Sequence, residues 1–452
     1  MFNQIGKLII NHALVAQLAD LTSGTEVERF RIDENGHISH HPYPTGIGDQ
    51  SVNPWITNDY LQTMPEVISP PANNYLDTIH YAHTLTEVLR QHLAKGELLW
   101  PLSMPPVLPV LKDKSLLAKT NNPVKREYLK YLVDKYGISH GTPCGTHINI
   151  SVNNKLVDQL ASLLPVPLNN TANLRNHIYE LSASGFMKYR WLLTYLFGAS
   201  PVVEDNYFEH SDDDRPNYPI RSFRQSTYGF IRSFPVDYSN VKHYLDRIKL
   251  GLSDGELANE AEFHGPIRFK GDDIETNGVR YLELRMLDLD PFSETGIKLS
   301  TLMMVQLMML YFVTTESTDD LNGIDTTVKS DDMNNLVACE RPDNHCEYEE
   351  QAFEFLSKLA DFVDMLDLGP EYSELVERFN NQISRPELTT GGRLLKYVED
   401  GKLLNFGVKQ AQKFQRANQL SDYHYDVFEN NDGNLSVAEL KQHLFKGTWQ
   451  PR

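Results

Sequence analysis

Tyr281-Leu-Glu-Leu-Arg-Met-Leu-Asp-Leu289 alternates apolar and polar side chains, the pattern of a half-buried strand. Successive strand residues point to opposite faces, so Glu283 and Arg285 share one side and Leu282, Leu284 and Met286 the other. Thr146-His-Ile-Asn-Ile-Ser-Val152 repeats the pattern, with His147, Asn149 and Ser151 facing away from Ile148, Ile150 and Val152. Nearer the N-terminus Glu26, Glu28 and Phe30 share a face opposite Val27, Arg29 and Arg31. Asn35-Gly36 follows between two short alternating runs and predicts a hairpin, because both residues tolerate positive φ. Met64-Pro-Glu66-Val-Ile68 sets one more carboxylate in an apolar run.

Helical patterns surround these strands. A first helix is expected around Ile5, Leu8, Ile9, Val15 and Leu18, and others over 74–96, 125–136, 155–164, 172–184, 189–198 and 239–251. Residues 219–232 read as strand or turn. From about 297 onward the chain reads mainly as helix, with loops at 316–350 and 385–392. Strands scattered among helices without regular β-α-β alternation predict an α+β fold with a mainly antiparallel sheet. The expected organisation is one large catalytic domain over 1–452, with a motif-bearing sheet core at about 20–300 and a mainly helical C-terminal part at about 297–452.

The 452 residues include 42 Lys plus Arg and 61 Asp plus Glu, a formal charge of −19. That excess argues against a nucleic-acid partner, which needs clustered basic residues on its phosphates. Leu302 to Val313 is the most hydrophobic run, well short of the roughly 20 residues that cross a bilayer, so a buried helix and no membrane partner are expected. Its Met303, Met304, Met308 and Met309 read as core filler. Three cysteines, Cys144, Cys339 and Cys346, make no disulfide framework and point to a reducing cytoplasm; a monomer is expected.

Several chemical signals fall away on spacing. Cys339, His345 and Cys346 offer three irregularly spaced ligands where structural zinc wants four. Phe428 to Glu439 has Phe428 where a calcium loop requires Asp, so Asn431-Asp-Gly433 reads as a simple turn. Glu204 to Asp214 reads as an exposed acidic loop, and His37, His40 and His41 as solvated. No glycine-rich phosphate loop occurs, Gly46-Ile-Gly48 being too short.

The polar strand faces have two readings. Each face simply meets water, or all of them line one cavity. In the second case Glu26, Glu28, Glu66, Glu283 and His147 form a hard-ligand set suited to Mg²⁺ or Mn²⁺. Neighbouring arginines would neutralise phosphoryl oxygens.

These stretches resemble the motifs of the bacterial glutamate–cysteine ligase family. Gly24-Thr-Glu26-Val-Glu28-Arg-Phe-Arg31 is similar to its G-x-E-x-E-x-x-R opening strand, and Trp55-Ile-Thr-Asn-Asp-Tyr60, with Glu66 and Pro70, to its next segment. Trp100-Pro-Leu-Ser-Met-Pro105, Gly145-Thr-His-Ile-Asn149, Tyr195-Leu-Phe-Gly-Ala-Ser-Pro201, Ser222-Phe-Arg224 and Tyr281–Phe292 follow in family order. The resemblance implies a six-stranded antiparallel sheet curved into a funnel and surrounded by helices. It implies ATP-dependent joining of the γ-carboxylate of L-glutamate to the amine of L-cysteine through γ-glutamyl phosphate, the first step of glutathione synthesis. Carried over, Glu26, Glu28, Glu66, His147 and Glu283 match metal ligands, while Arg224 and Arg285 match arginines at the phosphoryl group or substrate. Asn149 falls in the substrate-binding set, and Tyr60 and Tyr128 align around the acceptor side chain. Some relatives carry a second, glutathione-synthesising half; with 452 residues, only the ligase step is expected here.

The acceptor half departs from the family. Phe230 and His264 stand where tyrosines are usual, and those tyrosines are implied to hold the cysteine carboxylate. Each lost hydrogen bond to a charged group is worth about 1.5–3 kcal/mol, though His264 could donate if protonated. Cysteine therefore stands beside another amine as the expected acceptor. A catalytically silent nucleotide- or glutamate-binding regulator is the rival of another class, against which all five ligand positions are filled. A generic metal hydrolase is weaker, since nothing marks an activated water.

Overall fold

The structure, a computed structural model, describes residues 2–108, 113–208, 215–229, 234–316, 323–420, 427–428 and 432–444. Eight strands form in chain order: β1 (Thr22–Glu28), β2 (Arg31–Ile32), β3 (Ile56–Asn58), β4 (Pro65–Ile68), β5 (Leu98–Leu99), β6 (Gly145–Ser151), β7 (Ile267–Lys270) and β8 (Tyr281–Asp288). Six of them make one open antiparallel sheet in the order β3-β4-β1-β6-β8-β7, so an α+β architecture around a six-stranded antiparallel sheet is what the chain adopts. β2 and β5 pair separately, tied by a buried ion pair between Arg31 and Glu97 at 2.6 Å.

One face of the sheet is apolar and covered. Ile148, Ile150, Leu282 and Leu284 pack in one cluster with helices Thr171–Phe197 and Leu299–Thr315. Val67 and Ile56 pack against Tyr81, Leu85 and Val88 of helix Tyr75–Gln91. Helix Leu299–Thr315 is buried on nearly every side, its four methionines included, as an all-round apolar helix must be. Among the described residues no helix is long and apolar enough to cross a membrane. With the helices stacked on one side, the other face of the sheet keeps its polar residues in one continuous patch.

Several elements differ from the sequence pattern. The expected hairpin at Asn35-Gly36 reduces to a turn with Gly36 at φ +86° and one bridge between Ile32 and Ile38. The expected helices 172–184 and 189–198 are one helix, Thr171–Phe197, distorted only at Tyr189 (φ −111°, ψ 15°). Gly185 does not break it; a Cβ there would sit 2.3 Å from the Phe312 ring, so glycine serves a close helix crossing. Residues 316–350 contain helix Ile324–Cys339, not simply loop. That helix has no apolar stripe and is anchored by polar contacts to its neighbour: Ser330 Oγ donates to Met187 O at 2.5 Å and Thr194 Oγ1 to Asn334 Oδ1 at 2.7 Å. Helix Thr390–Leu394 likewise begins within the expected loop 385–392 and runs past its end. Residues 219–229 make turns and one bridge from Ser222 to Ser200. Glu204 is buried rather than exposed, and the acidic residues at 209–214 lie outside the described residues.

Candidate active site

Register brings the predicted carboxylates together. Glu26 of β1 stands opposite His147 of β6, and Glu28 of β1 opposite Glu66 of β4. Asn149 stands opposite Glu283, which in turn faces Arg268 across β7 and β8. Paired residues of an antiparallel sheet project from the same face, so all of these lie on the uncovered side.

Contacts at the site are short and largely polar. His147 Nδ1 lies 3.1 Å from Glu26 Oε2 and 3.8 Å from Glu283 Oε1, while Nε2 is 3.7 Å from Glu28 Oε1. Asn149 Nδ2 donates to Glu26 Oε1 at 2.8 Å, and Gly145 N donates to Glu28 Oε2 at 2.8 Å. Arg285 bonds Glu283 directly, and Lys270 Nζ reaches the other oxygen of that carboxylate at 3.1 Å. One ligating atom each from Glu26, His147 and Glu283 lie within 4.8 Å of one another, and so do those from Glu28, Glu66 and His147.

The electrostatics separate these acids. Burial would raise the Glu283 carboxyl, but Arg285, His147, Arg268 and Lys270 outweigh it and hold it below the usual range. Burial likewise opposes a lowered Glu26, which the His147 contact overcomes. Glu66 is pushed well above the usual range by burial and by Glu26, Asp59 and Glu28. Like charges directly opposite in a sheet are destabilising, and Glu28 and Glu66 occupy just such a pair. With an Asn149 Oδ1 that is buried and lacks a partner among the described residues, this is a hard-oxygen donor set with one imidazole. Such a set fits one or two divalent cations of the Mg²⁺ or Mn²⁺ type.

The polar face opens into a cavity of about 530 Å³ whose lining includes Glu28, Asp59, His147, Arg224, Arg268 and Arg285. Arg224 is clamped in place. Its Nη1 donates to Leu287 O at 2.9 Å and to Arg285 O at 3.2 Å, and its backbone N donates to Ser200 Oγ at 3.2 Å. Asp288 completes the clamp, accepting from Ala199 N, Ser200 Oγ and Ser222 Oγ at 2.7–2.8 Å and lying 3.9 Å from Arg224 Nη1. Gly145 is required beneath it, since a Cβ there would sit 1.9 Å from Arg224 Nη2.

Tyr60 and Tyr128 both line the cavity, and Tyr60 packs its ring over Gly141. Phe230 lies outside the described residues. His264 lines the cavity, but not as a cationic donor: burial, then Arg285 and Arg268, depress it to about 3. Its Nδ1 sits 2.8 Å from Glu262 O, and a carbonyl accepts only from an N–H, so that nitrogen carries the ring's one proton. Cys144 is buried with its thiol pushed up by burial, and His345 pairs with Glu349 at 2.7 Å instead of joining Cys339 and Cys346.

Sequence reasoning missed Asp59, Lys125, Tyr136, Glu262 and Arg268 in this lining. Asp59 had a signal, lying beside Tyr60 in the Trp55–Tyr60 stretch. The β7 residues Ile267-Arg-Phe-Lys270 alternate over only four positions, too few to announce a strand. Asp288 was missed for another reason. Thr146 and Ile148 of β6 pair with Leu287 and Leu284 of β8, so β8 carries one extra residue. That bulge shifts the alternation and puts Asp288 opposite Gly145, on the polar face.

Known proteins resemble the chain as a whole. A family model described as glutamate-cysteine ligase matches residues 7–334. Similar curated proteins include the glutathione biosynthesis bifunctional protein GshAB of Enterococcus faecalis, 32% identical over 412 residues, covering 88% of this chain and 54% of that protein. The corresponding protein of Streptococcus agalactiae is 31% identical over 399 residues, covering 86% and 52%. The chain thus spans about half the length of these curated relatives. Among solved structures, a bifunctional glutathione synthetase from Pasteurella multocida superposes with TM-score 0.84 at 26% identity, over 92% of this chain and 55% of that one. A glutamate–cysteine ligase from Francisella tularensis, solved with AMP, gives TM-score 0.78 at 20% identity over 94% and 92%, a likeness of fold.

Proposed function

The chain belongs to the glutamate–cysteine ligase family, and from that premise we propose that it joins the γ-carboxylate of L-glutamate to the amine of L-cysteine at the expense of ATP. A γ-carboxylate oxygen attacks the γ-phosphorus of ATP and ADP leaves. The amine then attacks the acyl carbon of γ-glutamyl phosphate, and phosphate departs with the electrons of the broken C–O bond. The observation that carries this reading is the convergence of Glu26, Glu28, Glu66, Glu283 and His147 on one face, beside a cavity walled by arginines. Bound there, divalent cations would neutralise phosphate oxygens and so favour transfer.

The chain's own groups supply the rest. Arg285 and Arg224 line the cavity beside the carboxylate cluster, held against Glu283 and Asp288 respectively, so they meet the moving phosphoryl charge without reorganising. Asn149 holds Glu26 from the side, keeping both Glu26 oxygens on fixed donors. Tyr60 and Tyr128 wall the acceptor end and exclude water from an intermediate that hydrolysis would waste. The three free cysteines suit a cytoplasmic setting.

A second reading, another amine as acceptor, is favoured by one feature: a neutral His264 with its proton engaged stands where the family usually has tyrosine. ADP release measured over a panel of amines separates the two; cysteine giving by far the highest kcat/KM would retire the alternative. Glu283→Gln is expected to abolish ADP formation with the fold intact by circular dichroism, and chelation of divalent cations to stop turnover. Near-wild-type activity in either case refutes the assignment.

A further inference from the structure

One half-buried cation in the cavity wall has no ion-pair partner among the described residues. Arg268 lies on edge strand β7 and lines the cavity, half-buried. Its Nε donates to Phe263 O at 3.0 Å, and its Nη2 to Ala261 O at 3.0 Å and to Phe263 O. Nη1 makes no hydrogen bond among the described residues. The nearby acids are already engaged. Glu283 is held by Arg285 and Lys270, and Glu262 by Lys135 at 2.7 Å and Tyr136 Oη at 2.6 Å. The other cavity arginines, Arg224 and Arg285, have carboxylate partners of their own.

A second unsatisfied group lines the same cavity. The Tyr128 hydroxyl is buried and finds no partner among the described residues. Desolvating a cation even in part without a paired counter-charge is costly unless a ligand supplies one, and a buried hydroxyl left unpaired is costly too. A guanidinium nitrogen and a phenol that both lack acceptors fit a group with two acceptor oxygens.

We propose that Arg268, together with the Tyr128 hydroxyl, binds the α-carboxylate of an amino-acid substrate. The inference rests on the ligase reading and deepens it. The carboxylate could belong to glutamate or to the acceptor, and both supply the same chemistry. His264 does not compete with Arg268 for that carboxylate, because its ring proton already goes to Glu262 O and the nitrogen has none left to offer.

The test uses the full chain with Mg²⁺ and ATP, comparing wild type with Arg268→Gln, Arg268→Lys and Tyr128→Phe. L-Cysteine is set against cysteamine, the same thiol amine without a carboxylate. If the acceptor carboxylate is bound, Arg268→Gln lowers the cysteine-to-cysteamine ratio of kcat/KM by about tenfold, through KM for cysteine, with KM for glutamate unmoved. If the glutamate carboxylate is bound, KM for glutamate rises about tenfold and the ratio holds. In both cases Arg268→Lys recovers part of the loss and Tyr128→Phe shows a smaller shift in the same parameter. Should Arg268→Gln fail to fold, Arg268→Lys and Tyr128→Phe carry the comparison. Changes under twofold in every KM and in the ratio overturn the inference while leaving the ligase reading standing. Wild type that releases no ADP with any amine defeats the ligase reading, and this inference with it.

Discussion

Asp59 shows what a single residue contributes beyond its identity. It sits in the loop after β3, lines the cavity, and has its carboxyl pushed up to about 6, by burial first and then by Glu28. A carboxyl raised in the folded state destabilises the fold once it must ionise. The penalty is absent below its unfolded value near 3.8, grows as pH rises, and is complete above about 6. Asp59→Asn is therefore expected to stabilise the cation-free protein by about 1–3 kcal/mol at pH 8 and to change nothing at pH 3.5, read from denaturant midpoints. A stabilisation independent of pH would mean that Asp59 is not held in this way. The candidate metal-ligating residues and both site arginines were legible in the chain, because each stood in an alternating or motif-bearing stretch. Arg268 was not, because its importance comes from where the neighbouring acids spend their charge.

At the scale of elements, the polar strands β1, β6 and β8 were legible because alternation is a local property of the chain. The short strands β3 and β7 were not resolved from pattern, since three or four residues carry too little periodicity. The extra residue in β8 could not be read either, because a bulge is defined only against the partner strand. Helix Thr171–Phe197 gives the sharpest element-level expectation. Gly185 lets it approach helix Leu299–Thr315 so closely that a Cβ would lie 2.3 Å from Phe312. Gly185→Val is expected to cost about 1–3 kcal/mol through overpacking, despite valine's lack of any polar conflict, seen as a lower urea midpoint at unchanged slope. A neutral effect would show that the two helices can part without loss. Glycine here reads locally as a helix breaker, whereas its reason is a ring on another helix.

For the whole molecule, the decisive feature is one acidic patch assembled from β1, β4, β6 and β8 on a single open sheet. Without a cation its carboxylates repel; a bound cation would neutralise that repulsion. Mn²⁺ or Mg²⁺ is expected to raise the thermal midpoint at pH 8, the stabilisation reaching about 2.7 kcal/mol at a hundredfold excess over Kd. The gain should be smaller at pH 5.5 than at pH 8, because acidification favours the protonated form of Glu66, already favoured by burial and by its acidic neighbours, against which the cation competes. Scanning calorimetry at both pH values checks this, and a gain that grows on acidification would contradict it. The chain by itself determined that strands with one polar face exist and which carboxylates, imidazole and arginines they bear, because side-chain alternation and local composition lie within a few neighbouring residues. Only the tertiary structure decided that Glu28 meets Glu66, that Asp288 joins the polar face, that His264 stays neutral and that the acids near Arg268 are paired with other cations. Register, bulges and burial depend on partners far apart in sequence, and a one-residue slip in any strand would turn its carboxylates away from the site.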